Sequence, residues 1–129
     1  MPWSVVIKTI EISREWNFGQ NKVLADKLKQ LVLNGNKKAT TGLYYERKKI
    51  PKVGDYKIIL DSDEKPSCII RCTNVEIKPF LEVDYDFIEK EGEGDKDIEE
   101  WREKHRKFFN LESDKVKVIC EEFEVVSRK

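Results

Sequence analysis

The stretch from Ser67 to Phe80 limits the fold more than any other part of this sequence. Ile69, Thr73, Val75 and Ile77 alternate with Cys68, Ile70, Cys72 and Glu76 over a long β-rich run. A strand of that length bends under its own twist, which favours a closed barrel over a flat sheet. The chain of 129 residues is then expected to be a single domain over 1–129, large enough to bury one core and too short for a second. One site is expected on it.

Charge narrows the partners. Lys+Arg and Asp+Glu number 25 each, so the formal net charge is zero. A protein that grips duplex DNA through phosphates carries a basic surplus, so no duplex DNA partner is expected, although a local basic patch such as Lys48, Lys49 and Lys52 could touch phosphates. No run approaches the roughly 20 apolar residues of a membrane span, and Met1-Pro2-Trp3-Ser4 does not open a secretory leader, so a soluble cytoplasmic protein is expected. Cys68, Cys72 and Cys120 form no Cys-x-x-Cys pair and accompany one histidine, which reads as buried small hydrophobes rather than a zinc site. The carboxylates Glu89, Glu91, Glu93 and Asp95 do not follow the spacing of a calcium loop, and no metal or other cofactor is expected.

Taken in order, Val5 to Ile12 reads as a short strand or extended arm, followed by a Trp16-Asn17-Phe18-Gly19 loop. Its aromatics either pin the loop to the core or offer a stacking platform for a base. Leu24, Leu28, Leu31 and Val32 then fall on one helical stripe, predicting a helix from about Asn21 to Asn34, capped by Asn21 and stopped at Gly35 in a left-handed conformation. A strand follows, in which Ala39, Thr41 and Leu43 share one face and Thr40 and Gly42 the other. Lys37 can reach Thr40 only if it still belongs to the turn. Tyr56 to Asp61 is a strand, and Asp61 to Pro66 a polar hairpin loop. Two helical stretches flank the turn Glu91-Gly92-Glu93-Gly94-Asp95. The second runs from about Asp97 to Phe109, capped by Asp97 or Asp95, with a stripe of Ile98, Trp101, His105, Phe108 and Phe109. Val116 to Val126 closes the chain as a strand, bulged at Glu121-Glu122.

Gly35-Asn36-Lys37-Lys38-Ala39-Thr40 resembles the Gly-x-Lys-x-x-Thr signature of the ASCH domain, a small family related to PUA RNA-binding modules. Lys52-Val53-Gly54-Asp55 looks like that family's Gly-Asp turn. Glu91 to Asp95 with Trp101, Arg102 and His105, and the closing Cys120 to Val126, are similar to one bacterial subfamily. The resemblance covers roughly Phe18 to Val126. It implies an α+β fold, a PUA-like mixed β-barrel with flanking α-helices and a cleft between them. One small bacterial member of the family is an amidohydrolase that deacetylates 4-acetylcytidine with a lysine, a threonine and a glutamate. Those roles fall on Lys37, Thr40 and Glu91 here. Other members are linked to RNA binding or RNA cleavage. Gly42 stands where the short amidohydrolase members usually carry arginine, so a planar five-donor group is missing, and the acidic segment around Glu93 and Asp95 is longer.

Lysine, threonine and a carboxylate are sufficient for acyl transfer. A threonine hydroxyl becomes a nucleophile once a base takes its proton, a desolvated lysine can do so, and the glutamate could then shuttle a proton to the leaving amine or orient water. The competing reading makes Lys37 and Glu91 a structural ion pair at the helix-barrel seam. If the chain binds rather than cleaves, a nucleoside or single-stranded RNA is the expected partner, held by Trp16, Phe18, Arg71, Arg102 and His105. His105 is read either as a hydrogen-bonded seam residue or as a titrating group in the cleft, and Trp101 as core.

Overall fold

The computed structural model describes residues 22–60, 63 and 65–128. The expectations for Val5 to Ile12, for Trp16 and Phe18, and for the Asn21 cap lie outside them. The elements are α1 (Lys22–Leu33), β1 (Ala39–Leu43), β2 (Tyr56–Leu60), β3 (Pro66–Pro79), a 3-10 turn at Phe80–Glu82, α2 (Tyr85–Glu91), α3 (Ile98–Phe109) and β4 (Lys117–Arg128).

The long β3 is the centre of the sheet, as its alternation requires. It pairs with β2 on one side and β4 on the other, and β1 pairs with β4, giving the antiparallel order β1-β4-β3-β2. The described strands all pair antiparallel, and a contact closing β1 onto β2 is not among their pairings. The ladder of β3 shifts once against β2, where Ser67 is the extra residue, and twice against β4. One falls between Cys72 and Asn74, whose partners are Phe123 and Glu122, so the extra residue is Thr73. The bulge expected at Glu121-Glu122 is thus at the right level of the ladder but on the opposite strand. The other shift, between Ile69 and Ile70, leaves Val126 as the extra residue of β4.

The sheet buries both faces. On one, Ala39, Val118 and Cys120 pack against Phe80, Val83, Phe87, Ile88 and Trp101 from the 3-10 turn, α2 and α3. On the other, Ile59, Cys68, Ile70 and Phe123 lie under Val32 of α1. Full burial of side chains this size stabilises by roughly 1.5–3 kcal/mol each. All three cysteines are buried and free, as their spacing predicts.

Helix ends follow the sequence chemistry. Gly35 has φ 84° and stops α1. Asp97, rather than Asp95, caps α3 by accepting from the Glu100 amide, and Asp84 caps α2 by accepting from Phe87. One position on the α3 stripe departs from expectation. Phe108 is 73% exposed, because the arc of α3 that meets the core is narrower than the stripe: Trp101, His105 and Phe109 fill it, and Phe108 packs edge-on against Phe109 from outside.

Candidate functional site

Lys37 sits in the turn between α1 and β1, and that turn is held at three backbone points. Its own amide donates to the Leu31 carbonyl (2.8 Å), the Lys38 amide donates to Lys90 (2.7 Å), and the Lys38 carbonyl accepts from Phe123 (2.9 Å). The end of α2 is therefore fastened to the signature turn. Gly92, the α2 C-cap at φ 69°, lies so close to the Asn36 carbonyl that a Cβ there would overlap it. Only glycine meets both requirements.

This docking brings Glu91, on the last turn of α2, to Lys37. Both side chains are 2% exposed, with Lys37 Nζ 3.9 Å from Glu91 Oε2. The ammonium donates to the Ala39 carbonyl (2.9 Å), to Glu93 Oε2 (3.1 Å) and to the Glu91 carbonyl (3.4 Å). Glu91 Oε1 accepts from two donors, Trp101 Nε1 at 2.7 Å and Thr41 Oγ1 at 2.9 Å. His105 stacks on Trp101, shares a 2.9 Å hydrogen bond between its Nδ1 and the Trp101 carbonyl, and places Nε2 3.8 Å from Glu91 Oε2. Lys104 and Asp95 pair at 3.0 Å, and Tyr85 Oη donates to the Asp95 carbonyl, which fixes the loop carrying Glu93.

The two glutamates differ in their ionisation. Burial pushes Glu91 above the usual carboxylate range, and the Lys37 and His105 charges only partly oppose it. Burial acts on Glu93 in the same sense, but the Lys37 charge and hydrogen bond outweigh it and hold that carboxyl below the usual range. Next to them, burial raises the Cys120 thiol to about 12. Thr41 and Cys120 are partners across β1 and β4, and Cys120 also lines a groove of about 230 Å³ with Asn74, Glu76, Lys78, Phe87 and Glu122.

Of the residues singled out from sequence, the structure brings Lys37, Glu91 and His105 together. Thr40 is not with them: burial along β1 alternates as Ala39 in, Thr40 part-exposed, Thr41 in, so the hydroxyl on Glu91 belongs to Thr41. The parity of the strand decides this, since Ala39 and Thr41 fall on the side that meets Glu91 and Thr40 on the other. Arg102 is turned toward Glu99 (2.7 Å) and the Leu81 carbonyl (3.0 Å) and fastens α3 to the 3-10 turn. Arg71 lies on β3 beside Tyr56 and Glu124 and pairs with Glu124 at 3.4 Å. Trp16 and Phe18 are outside the described residues. Sequence reasoning missed Glu93, the tie from Trp101 to Glu91, and Thr41. The shared face of Ala39 and Thr41 was the signal for the last.

No described helix is long and apolar enough to cross a membrane. A family model described as ASCH domain matches residues 14–127. The structure of an ASCH domain from Lactobacillus crispatus JV V101 is 31% identical with a TM-score of 0.81, covering 99% of this chain and 87% of that one. A protein from Enterococcus faecalis V583 is also 31% identical with a TM-score of 0.81, over 98% of this chain and 91% of its own. A mutant ASCH protein from Zymomonas mobilis shares the fold at 9% identity and a TM-score of 0.54, over 76% and 63% of the two chains. No curated protein matches the sequence significantly. With four antiparallel strands, flanking helices and a matching family model over nearly its whole length, this chain has the α+β PUA-like fold and belongs to the ASCH domain family.

Proposed function

We propose that this chain is a metal-independent amidohydrolase acting on small N-acylated nucleosides of the 4-acetylcytidine type, with the Lys37, Thr41, Glu91 and Glu93 network as its reactive centre. The observation that carries this reading is the 2.9 Å hydrogen bond from Thr41 Oγ1 to Glu91 Oε1, a hydroxyl already aimed at a carboxylate whose proton affinity is raised by burial. Thr41 Oγ attacks the acyl carbon as its proton passes to Glu91. The carbon-nitrogen bond then breaks, and the departing amine takes that proton. Water hydrolyses the acyl-threonine ester with Glu91 as base, which releases the carboxylic acid and restores the hydroxyl. Lys37, surrounded by acceptors, is assigned an electrostatic role rather than that of a base. Zero net charge suits a neutral nucleoside better than a long polyanion.

A second reading, a non-catalytic module that binds a modified nucleotide or single-stranded RNA, draws support from the deep burial of Lys37 and Glu91, which fits a structural seam as well as a reactive one. One experiment separates them. The purified protein is incubated with 4-acetylcytidine and related acylated nucleosides in the presence of a chelator, beside Lys37→Ala and Thr41→Val. Turnover by the parent and its loss in both variants is the expected result. Inactivity across the panel, or equal turnover in all three proteins, leaves the binding module as the reading to keep.

A further inference from the structure

Among the described strands, β3 has neighbours on both sides only as far as Cys72. There its amide donates to the Asp55 carbonyl and its carbonyl accepts from the Gly54 amide, both at 2.8 Å. From Asn74 to Pro79 the strand pairs with β4 on one side, and no described strand pairs with it on the other. The Phe80 amide donates to Val116 on the β4 side at 2.9 Å, so by alternation Lys78 and Glu76 also turn their peptide groups to β4, and Ile77 and Val75 turn theirs outward. Thr73, Asn74, Glu76 and Ile77 are exposed along this edge. Outward-facing N–H and C=O groups in a row are a template for another strand.

The two faces of the edge differ in chemistry. On the α2 side lies the groove of about 230 Å³, with Asn74, Glu76 and Lys78 along β3 and Asp84, Asp86 and Phe87 opposite them. Lys78 pairs with Glu76 at 2.9 Å and Lys90 with Glu122 at 2.8 Å, so both lysines of the lining are matched, and Asp84 and Asp86 remain as an acidic surplus. On the other side Val75 and Ile77 are apolar, with Ile77 41% exposed. We propose that this edge is a docking site for an extended segment of a partner protein in which lysine or arginine alternates with an apolar residue. The segment adds to the sheet through the peptide groups of Val75 and Ile77; its basic side chains enter the groove toward Asp84 and Asp86, and its apolar ones lie beside Val75 and Ile77. Pro79 has no N–H and ends the ladder, so the added strand is short. Charge selects this occupant over a second copy of the chain, because two copies joined at this edge would bring their acidic grooves together.

The surface is separate from the Lys37 network, and its test reads binding, not turnover. A short capped peptide alternating lysine and valine, and a second of the same composition with its lysines and valines in two blocks, are titrated calorimetrically into the full chain, Ile77→Pro and Asp86→Lys. Saturable binding of the alternating peptide to the parent at low salt is expected, weakened about ten-fold by each substitution, with the block peptide bound no better than the variants bind the first. Ile77→Pro removes an outward N–H; Asp86→Lys reverses a charge at an exposed position and leaves the ladder untouched, so it keeps the test decisive even if Ile77→Pro is unstable. Failure of the alternating peptide to bind at millimolar concentration overturns the proposal, as does equal affinity for the block peptide or undiminished binding by Asp86→Lys. Sedimentation of the parent as a dimer that Ile77→Pro dissociates also overturns it, by giving the edge to a second copy.

Discussion

Gly92 lies directly against the Asn36 carbonyl, so that the C-cap of α2 and the turn before β1 touch backbone to backbone. That contact sets the position of Lys37 relative to Glu91 more tightly than any side-chain interaction in the network, because backbone cannot rotate away.

Gly92→Ala is therefore expected to destabilise the fold by more than about 2 kcal/mol, combining the left-handed φ with a steric overlap that only a shift of α2 can relieve. Gly42→Ala is the control: with nothing within 4 Å, it should be neutral or stabilise by about 0.5 kcal/mol through the unfolded chain. Urea unfolding of both variants checks this. Equal midpoints for the two would show that the Gly92 contact does not hold the seam.

The two glutamates around Lys37 give opposite pH dependences. Glu91 is raised above its ordinary 4.5, so its contribution to stability is complete below that value and is lost as pH rises through the higher folded-state value. Glu93 is lowered from 4.5, so its contribution is present above that value and disappears as pH falls through the folded one. Going from neutral pH into the acid range, the stability difference between parent and Glu91→Gln should move in the parent's favour, and that between parent and Glu93→Gln against it. Thermal unfolding of the three proteins at a series of pH values reads both signs; parallel curves would contradict the assignment.

Much of the architecture was legible because it rests on periodicity. The β3 run, the α1 stop at Gly35 and the Asp97 cap all follow from residues within one element. The site was legible only in part. Lys37 and Glu91 meet through tertiary docking of α2 on a turn 54 residues earlier in the chain, which the family resemblance indicated and periodicity could not. Thr41 was obscured because the signature points to Thr40, whereas strand parity puts Thr41, with Ala39, on the side that meets Glu91. Phe108 was placed inside because the stripe on α3 is wider than the surface that receives it.

Trp101 was expected to be core, and it is, yet its indole N–H also donates to Glu91 at 2.7 Å. Trp101→Phe keeps most of the apolar volume and removes one of two donors to a buried carboxylate oxygen. The expected loss is about 1–3 kcal/mol in denaturant unfolding. Because Glu91 then loses a hydrogen bond that favours its charged form, the loss should be larger at neutral than at acid pH. A loss independent of pH would assign the whole effect to packing.

The last prediction sets Thr40 against Thr41. They are chemically identical, adjacent on β1 and separated only by the pleat, so they form an internal control that composition cannot confound. Thr41→Val removes the other donor to Glu91 Oε1 while keeping the branched shape, and about 1–2 kcal/mol of stability should go with it. Under the proposed mechanism it also removes the nucleophile, so deacylation of 4-acetylcytidine should fall to background. Thr40→Val sits on the part-exposed face, and its stability should stay within about 0.5 kcal/mol of the parent with turnover still detectable. Unfolding curves and product formation measured on the same two preparations decide the matter. Loss of turnover in Thr40→Val with retention in Thr41→Val would move the reactive centre to the Thr40 face and set aside the Lys37 network as a structural seam.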